Sequence, residues 1–393
     1  MKFEDMNIQN EILLSLRDIG IYNPTTIQIE SIPFIKQGFD LIGQSATGSG
    51  KTLAFGIPIV EMINKNNQIQ AIILSPTREL ALQISNELGK ISKYKALKVT
   101  PIYGGVPIDR QIYELRKTEI VVGTPGRILD HLKRGSIRTD KVKFFVLDEA
   151  DKMIDMGFID DINLIERFLP KQRQTILFSA TMPESLHKIR DSLTVNAKKV
   201  KAKTKVDENL LEQYYYDVDR KDKFSLLVHL LKNERPQKTI IFCNSRNEAD
   251  SLSKNLFLNG IRVKSLHGGL SQNLRERIIS DFHRNKINVL VATDVAARGL
   301  DIKDVTHIFN YNVPNNTEDY VNRIGRTARA GNKGKAICLL SRDDHRSFQN
   351  IISKYSFEIK KSIPSRYNKL NYEKVFSTRK SYTKNSHRPV RRY

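Results

Sequence analysis

A glycine-rich stretch at residues 45–52, SATGSGKT, restricts the possible folds of this chain more than any other feature. A short apolar run precedes it and a helix-forming apolar segment follows it, so the context is strand, loop and helix. In such a loop backbone N–H groups surround phosphate oxygens, the lysine reaches the β- and γ-phosphates and the last hydroxyl binds Mg²⁺. The strict pattern has glycine where this chain has Ser45, and the alternative is a plain Gly/Ser turn.

Carboxylates follow a second apolar run about a hundred residues later. Residues 144–147 read FFVL and residues 148–151 read DEAD. An acidic side chain at the end of a buried strand is held firmly enough to bind a metal ion or to orient water. The alternative is a solvated acidic turn at a helix N-terminus. The presence of both motifs in one chain predicts a site that hydrolyses a nucleotide phosphate.

Short apolar segments alternate with helical patterns in two series, which predicts an α/β fold. The segments are residues 40–43, 71–74, 99–103, 119–122, 143–147 and 175–178, and then 213–218, 238–242, 262–266, 288–292, 307–309 and 335–340. This alternation indicates two parallel sheets, each sandwiched by helices. Ligands bind such sheets at the loops that follow the carboxyl ends of the strands.

The length of 393 residues predicts two domains, because it exceeds what one hydrophobic core usually serves. Residues 198–205 are too polar and too uniformly charged to pack, which places a linker at 202–211. The expected first domain is 1–201 and the expected second domain is 212–364.

The composition favours a polyanionic partner. The formal net charge is +22, from 65 Lys and Arg against 43 Asp and Glu, so nucleic acid is expected before an anionic membrane surface. No apolar run reaches the length of a membrane span and the first residues lack a signal-peptide pattern, so a cytoplasmic location is expected. Cys243 and Cys338 lie in apolar runs, which predicts buried thiols without a disulfide or zinc framework.

Residues 365–393 are expected to form a basic, flexible tail. They contain nine Lys or Arg residues against one acidic residue, Glu373, with tyrosines and a phenylalanine among them. Such a segment does not fold alone. Cations that pair with phosphates and aromatic rings that stack on bases would make it a non-specific nucleic-acid arm, and the alternative is a tail that only promotes solubility.

Further motifs in a fixed order along residues 3–334 carry a family resemblance. In the first half they are GIYNPTTIQ at 20–28, PTREL at 76–80, GG at 104–105, TPGR at 124–127 and SAT at 179–181. In the second half they are IFCN at 241–244, HGGLSQNLR at 267–275, ATDVAARGLD at 292–301 and YVNRIGRTAR at 320–329. With the glycine-rich loop and the acidic tetrapeptide, the chain resembles the DEAD-box ATP-dependent RNA helicases of superfamily 2, in a bacterial form with a short basic C-terminal tail. This resemblance implies two tandem RecA-like domains.

The resemblance also implies the residues of an ATP site. Adenine would be contacted by Phe3, Thr25 and Gln28, although packing in the core is an equal alternative for Phe3. The phosphates would be bound by Ser45, Ala46, Thr47, Gly48, Ser49, Gly50, Lys51 and Thr52, and the nucleotide would also be contacted by Gly299 and Asp301 of the second domain. The implied catalytic residues are Lys51, Asp148, Glu149 and two arginine fingers, Arg326 and Arg329. Thr52 and Asp148 would hold Mg²⁺.

An RNA surface and a coupling element are implied in the same way. RNA would be bound by Pro76, Thr77, Arg78, Gly105, Thr124 and Arg127 in the first domain, and by Gly268, Gln272, Arg275 and Thr293 in the second. Coupling between the two sites is expected from Asp151, Ser179, Thr181 and Asn322. The family commonly has histidine at the position of Asn322, and an amide cannot carry that charge.

The expected function is therefore an RNA-stimulated ATPase. It would bind single-stranded RNA without sequence preference and locally unwind short duplexes or remodel RNA–protein complexes. A DNA-directed translocating helicase and a non-enzymatic RNA clamp are the alternatives. A monomer is expected, and ribosomal or RNA-decay proteins are the candidate partners.

Overall fold

The computed structural model describes residues 1–45, 48–202, 210–297, 305–314, 316–328, 332–354 and 358–374. Within them the chain forms two compact units, and the main boundary lies between Leu211 and Glu212. Each unit has a seven-stranded sheet with helices on its faces, which confirms the predicted fold class. Most of the predicted linker, residues 203–209, lies outside the described residues.

The first unit is built on a fully parallel sheet with the strand order β3-β4-β2-β5-β6-β1-β7. Its strands are β1 Leu41–Gln44, β2 Ala71–Leu74, β3 Val99–Ile102, β4 Ile120–Gly123, β5 Phe144–Leu147, β6 Gln174–Ser179 and β7 Lys198–Lys201. Its helices are α1 Asn10–Asp18, α2 Thr26–Lys36, α3 Lys51–Met62, α4 Arg78–Ile91, α5 Ile108–Leu115, α6 Pro125–Lys133, α7 Ala150–Asp155, α8 Ile159–Arg167 and α9 Glu184–Leu193. Short 3-10 helices span Phe3–Met6 and Lys93–Lys95.

Both faces of this sheet are hydrophobic, which explains why its strands read as continuous apolar runs. In β2, Ala71 and Ile73 pack into a core formed with α1 to α4. The side chains of Ile72 and Leu74 point to the opposite face, into a core formed with α5 to α9. Helices therefore cover both faces and leave the ends of the strands free to carry loops.

Strand β7 corrects the prediction that residues 198–205 are too charged to pack. Residues 198–201 pair with β1 at the edge of the sheet, with Val200 buried and the three lysines exposed. An edge strand needs only one buried side chain to be anchored, and exposed lysines discourage pairing with a second molecule. The lysines are thus compatible with a strand at this position.

The second unit has the strand order β10-β11-β9-β12-β13-β8-β14. Its strands are β8 Leu211–Asp217, β9 Thr239–Phe242, β10 Val263–Leu266, β11 Val289–Ala292, β12 His307–Asn310, β13 Gly334–Leu340 and β14 Lys360–Lys361. Its helices are α10 Lys223–Glu234, α11 Arg246–Leu258, α12 Gln272–His283, α13 Asp294–Ala297, α14 Thr317–Ile324 and α15 His345–Lys354. A 3-10 helix spans Arg342–Asp344. Neighbouring strands in the part of the sheet ordered β10-β11-β9-β12-β13 pair in parallel, as those of the first unit do.

Residues 365–374, here called the C-terminal strap, lie on the second unit and correct the expectation of a flexible tail from residue 365. The ring of Tyr372 contacts Phe224 with centroids 5.1 Å apart, and Leu370 N–H donates to Ser225 Oγ at 2.9 Å. The side-chain amide of Asn255 bonds both backbone groups of Glu373, at 2.8 and 3.1 Å. The sequence pattern missed this because the strap has no regular secondary structure and depends on contacts with distant residues. Residues 375–393 lie outside the described residues.

Both cysteines are free and buried, as predicted for thiols in apolar strands. Burial raises the pKa of the Cys338 thiol to about 11, so this thiol is protonated and unreactive at neutral pH. In the described part of the chain no helix is long and apolar enough to cross a membrane.

Two truncations should separate the strap from the rest of the tail. Ending the chain after Lys374 should leave the stability of the second unit unchanged. Ending it after Pro364 should lower that stability by about 2–4 kcal/mol, because Tyr372 and Leu370 lose their packing and Asn255 loses its partners. Urea denaturation followed by circular dichroism is suitable, because the chain contains no tryptophan. Equal midpoints for both truncations would contradict the assigned packing.

Candidate active site and nucleic-acid interface

The sequence motifs of the first unit lie at one edge of its sheet, formed by the carboxyl ends of the parallel strands. The phosphate loop follows β1, residues 148–151 follow β5, and residues 179–181 begin at the end of β6. These strands are neighbours, in the order β5-β6-β1. The motifs of the predicted RNA surface follow β2, β3 and β4, which form the other half of the same edge. The two groups of motifs therefore lie side by side on one sheet.

Two left-handed glycines and two internal hydrogen bonds shape the described part of the phosphate loop. Gly48 and Gly50 have φ values of 85° and 92°, which a residue with a side chain rarely adopts. Lys51 is buried, and its Nζ donates to the backbone oxygen of Ser45 at 3.1 Å. The hydroxyls of Ser45 and Ser49 lie 2.7 Å apart, so serine is accommodated where the strict pattern has glycine. Ala46 and Thr47 lie outside the described residues.

Gln28 connects the upstream motif to the phosphate loop. Thr25 and Gln28 form a capping box at the start of α2, in which Gln28 Oε1 accepts from Thr25 N at 2.9 Å. Its Nε2 donates to the backbone oxygen of Gly50 at 3.0 Å. A Cβ atom on Gly50 would lie 2.5 Å from that Nε2, so the close approach requires glycine. Phe3 is only 1% exposed and lies in the hydrophobic core, which matches the core-packing alternative.

Asp148 and Glu149 are both buried, at the point where β5 ends. Glu149 has φ of 54°, a left-handed conformation that turns the chain sharply between β5 and α7. Burial raises the pKa of the Asp148 carboxyl, and the positive charge of Lys51 opposes that rise. A bound cation would stabilise the charged form of such a buried carboxylate. The Asp148 carboxylate and the Thr52 hydroxyl are hard oxygen donors that fit Mg²⁺.

Lys152 is a site residue that the sequence analysis missed. Its Nζ lies 2.8 Å from Glu149 Oε2, and both side chains are less than 5% exposed. The spacing of three residues between Glu149 and Lys152 could have predicted the pair, because side chains three apart at the start of a helix can meet on one face. The buried ion pair holds the carboxylate of Glu149 in place.

The predicted coupling residues of the first unit are joined by hydrogen bonds. Asp151 Oδ2 accepts from both the backbone N–H and the hydroxyl of Thr181, each at 3.0 Å. Asp151 N–H donates to Ser179 Oγ at 3.2 Å, and that hydroxyl donates to the Thr181 carbonyl at 2.6 Å. These bonds tie residues 148–151 to the end of β6. A shift of either loop must therefore move the other.

On the other half of the edge, the predicted RNA residues follow β2, β3 and β4. Pro76 and Thr77 follow β2, and the Thr77 hydroxyl caps α4 by accepting from Leu80 N–H at 3.2 Å. Arg78 lies against Gly105, where an added Cβ would be 2.4 Å from a guanidinium nitrogen.

Thr124 and Arg127 follow β4. Thr124 is the N-cap residue of α6, whereas the guanidinium of Arg127 bonds to Gln111 and to the carbonyl of Val106. Each of the three guanidinium nitrogens of Arg127 therefore has a hydrogen-bond partner within its own unit, with Asp130 as the third partner.

The second unit places its predicted RNA residues at the corresponding edge. Gly268 follows β10, Thr293 follows β11, and Gln272 and Arg275 lie in the first turn of α12. Arg246, at the start of α11, lies 3.4 Å from the position of a Cβ on Gly268. Arg246 was missed by the sequence analysis, although its relation to a glycine pair repeats that of Arg78 in the first unit.

A buried arginine organises the remaining motif of the second unit. Arg323 is 2% exposed, and its guanidinium forms two bonds of 2.7 Å with the carboxylate of Asp294. It also donates to Asn310 Oδ1 and to the carbonyl of Asn312. This bidentate pair joins α14 to the ends of β11 and β12.

The structure describes some of the site residues predicted on and after α13 and α14, and others lie outside it. Arg326 is buried, and Asn322 is partly exposed on α14. Arg329, Gly299 and Asp301 lie outside the described residues.

The pairing of Lys152 with Glu149 predicts a specific pattern of stability. Replacing Lys152 by Met should destabilise the first unit by about 3 kcal/mol, because the buried Glu149 carboxylate loses the charge that lies 2.8 Å from it. Adding Glu149→Gln should restore most of that loss, because the buried charge is then absent. Chemical denaturation of the full chain measures the free energy of unfolding of the single and the double variant. Lys171→Met, at an exposed lysine of the same unit, is the control. Additive losses in the double variant would show that the pair does not stabilise the unit.

Two family models match the chain. The model described as DEAD/DEAH box helicase matches residues 25–189, and the helicase conserved C-terminal domain matches residues 222–331. The first match falls within the first unit, and the second covers the motifs at residues 241–329. Together they include the phosphate loop and the acidic tetrapeptide.

Curated relatives and solved structures agree with these models. The DEAD-box ATP-dependent RNA helicase CshA of Geobacillus kaustophilus is 46% identical over 343 residues, which is 86% of this chain and 73% of the relative. CshA of Bacillus subtilis is 46% identical over 342 residues, 86% of this chain and 69% of the relative. Among solved structures, S. cerevisiae Dbp5 bound to RNA and ADP BeF3 has a TM-score of 0.84 at 32% identity, covering 92% of this chain and 95% of that one. The chain belongs to the DEAD-box helicase family, which confirms the resemblance seen in its sequence.

Proposed function

We propose that the chain is an ATP-dependent RNA helicase. It binds single-stranded RNA with little sequence preference and unwinds short duplexes, or remodels RNA–protein complexes, in a manner coupled to ATP hydrolysis. The observation that carries this proposal is the division of one sheet edge into a nucleotide half and a polynucleotide half. The similarity to a helicase structure that contains RNA and ADP BeF3 supports it.

In the nucleotide half, the loop amides and Lys51 bind the phosphates. Lys51 donates to the Ser45 carbonyl in the structure, so the ammonium group already lies over the loop that the phosphates would enter. Gln28 positions the loop through Gly50. Its second Nε2–H and the second lone pair of Oε1 would contact adenine. Asp148 and Thr52 would hold Mg²⁺, which neutralises charge on the phosphates when bound. Glu149 orients the attacking water and accepts its proton.

The motif at residues 320–329 supplies the remaining charge for hydrolysis. Arg326 and Arg329 act as arginine fingers, which contribute about 10³ to 10⁵ in rate in related chemistry. The bidentate pair of Arg323 with Asp294 positions this segment, because it fixes α14 on the sheet. Gly299 and Asp301 contact the nucleotide. Hydrolysis then requires residues from both halves of the sequence.

The RNA backbone is bound by the polynucleotide half of the first unit and by the corresponding sheet edge of the second unit. The binding residues are Pro76, Thr77, Arg78, Gly105 and Thr124 on the first unit, and Gly268, Gln272, Arg275 and Thr293 on the second. Most of these groups are backbone amides, hydroxyls and guanidinium groups, which bind phosphates and sugars rather than base edges. The chain therefore binds RNA with little preference for the base sequence. The bonds among Asp151, Ser179 and Thr181, together with Asn322 on the second unit, couple this binding to the nucleotide half.

The cellular setting is part of the same proposal. A protein with two buried, reduced thiols and a charge of +22 suits a reducing compartment rich in RNA, which is the cytoplasm. We also propose that it acts as a monomer and that ribosomal or RNA-decay proteins direct it to its targets.

ATP hydrolysis should depend on RNA and on Glu149. Single-stranded RNA should stimulate hydrolysis more than DNA of equal length, and Glu149→Gln should lower the stimulated rate at least about a hundredfold while ATP still binds. Steady-state phosphate release and equilibrium nucleotide binding measure the two effects. Equal stimulation by DNA would favour a DNA-directed helicase. Duplex separation at the normal rate by Glu149→Gln would favour an RNA clamp.

The basic residues beyond the strap should pair with RNA phosphates. Residues 375–393 contain six Lys or Arg residues and no acidic residue. Deleting them should weaken RNA binding and flatten the dependence of log Kd on log salt by about 0.7 for each phosphate that is no longer neutralised. A variant of full length with these six residues changed to Gln is the control for tail length. Unchanged slopes in both variants would show that the tail does not bind RNA.

A further inference from the structure

The loop at residues 104–106 has to be positioned by its neighbours. Gly105 has φ of 86°, and an added Cβ there would lie 2.4 Å from the guanidinium of Arg78. Gly104 and Gly105 therefore offer only backbone groups to a ligand. Because a glycine backbone has many accessible conformations, other residues must hold the shape of this loop.

Gln111, on α5, holds the start of the loop. It is 3% exposed, and its Nε2 donates to the carbonyl of Tyr103 at 3.1 Å. Its Oε1 accepts from Arg127 Nε at 2.9 Å and pairs with His131 Nε2 at 3.0 Å. Both lone pairs of Oε1 are then used, and a flipped amide would place donors against donors. The orientation of the Gln111 side chain is fixed by this network.

Arg127 holds the end of the loop. One terminal nitrogen of its guanidinium donates to the carbonyl of Val106 at 2.6 Å, and another lies 3.4 Å from Asp130. Gln111 thus bonds the loop at Tyr103, and Arg127 bonds it at Val106. Gln111 and Arg127 are also hydrogen-bonded to each other. Arg127 is directed at the protein rather than at solvent.

His131 is the third side chain of this network. It is fully buried, and its Nδ1 lies 2.8 Å from Ser136 Oγ. Burial, with a smaller effect from the charge of Arg127, lowers the pKa of His131 to about 4. The imidazole is neutral at physiological pH, so Nε2–H can donate to Gln111, while the Ser136 hydroxyl lies 2.8 Å from Nδ1 and 3.0 Å from the His131 carbonyl.

We propose that Gln111 is a positioning residue for RNA binding, which acts with Arg127 by holding the backbone of residues 104–106 in the conformation that accepts a phosphate. This inference rests on the proposed function and deepens its RNA site. It reassigns Arg127, which was expected from the sequence to contact phosphates directly. Both residues act on RNA through the loop.

The main test replaces Gln111 by Met, which has a similar volume and no amide. The Kd for single-stranded RNA, measured in the presence of a non-hydrolysable ATP analogue, should rise about tenfold because the bonds that order the loop are lost. The Kd for the nucleotide alone should stay near that of the wild type. The thermal midpoint should fall, because the Tyr103 carbonyl, Arg127 Nε and His131 Nε2 each lose a buried partner, so RNA binding is measured at a temperature well below that midpoint. Gln83→Met on α4 is the matched control, because Gln83 donates to Glu87 away from this loop. A Gln111→Met variant that binds RNA normally would overturn the proposal.

Salt dependence separates positioning from direct contact. A positioning role predicts that Gln111→Met and Arg127→Gln raise the Kd while the slope of log Kd against log salt stays unchanged. A slope lowered by about 0.7 in Arg127→Gln would show that Arg127 itself neutralises a phosphate, and the reassignment would be wrong.

Hydrogen exchange gives a readout that does not depend on RNA. The amides of residues 104–106 should exchange faster in Gln111→Met than in the wild type, and unchanged exchange would contradict the assigned role. If the wild-type chain itself fails to bind RNA, the proposed function fails. The exchange result still reports on the loop network in that case.

Discussion

Parallel pairing of the strands is the constraint on which the functional layout depends. Because all seven strands of the first sheet run in one direction, every loop that follows a strand emerges at the same edge. Motifs that are far apart in sequence, such as residues 45–52 and 179–181, become neighbours because β1 pairs with β6. The second sheet repeats this arrangement for residues 267–275 and the residues after β11. Strand order, rather than sequence distance, decides which motifs act together.

The nucleotide half of this edge concentrates buried charge. Lys51, Asp148, Glu149, Asp151 and Lys152 are all at most 6% exposed. Isolated charges at such depth would be strongly unfavourable, so each must be compensated by a partner. Asp151 is compensated by bonds to Thr181, and Glu149 by Lys152. The same bonds that make the charges tolerable also fix the geometry that hydrolysis requires.

The polynucleotide half follows a different principle, because it relies on backbone groups and the residues that shape them. Gly105 and Gly268 are each approached by an arginine from the start of a neighbouring helix. A buried network centred on Gln111 then holds the first of these loops at both ends. Binding of a repetitive phosphate backbone requires correctly placed amides, and such placement is a property of the packed domain.

The sequence by itself determined the α/β class, most strand positions, the phosphate loop and the acidic tetrapeptide. These rest on local pattern: apolar runs of strand length, glycines at left-handed positions and carboxylates after a buried strand. Only the tertiary structure decided that Phe3 packs in the core, that Lys152 pairs with Glu149, that residues 198–201 form an edge strand and that residues 365–374 pack on the second unit. It also decided that Arg127 bonds to its own domain. These features depend on contacts between residues distant in sequence, or on which rotamer a side chain adopts, and neither has a local signature.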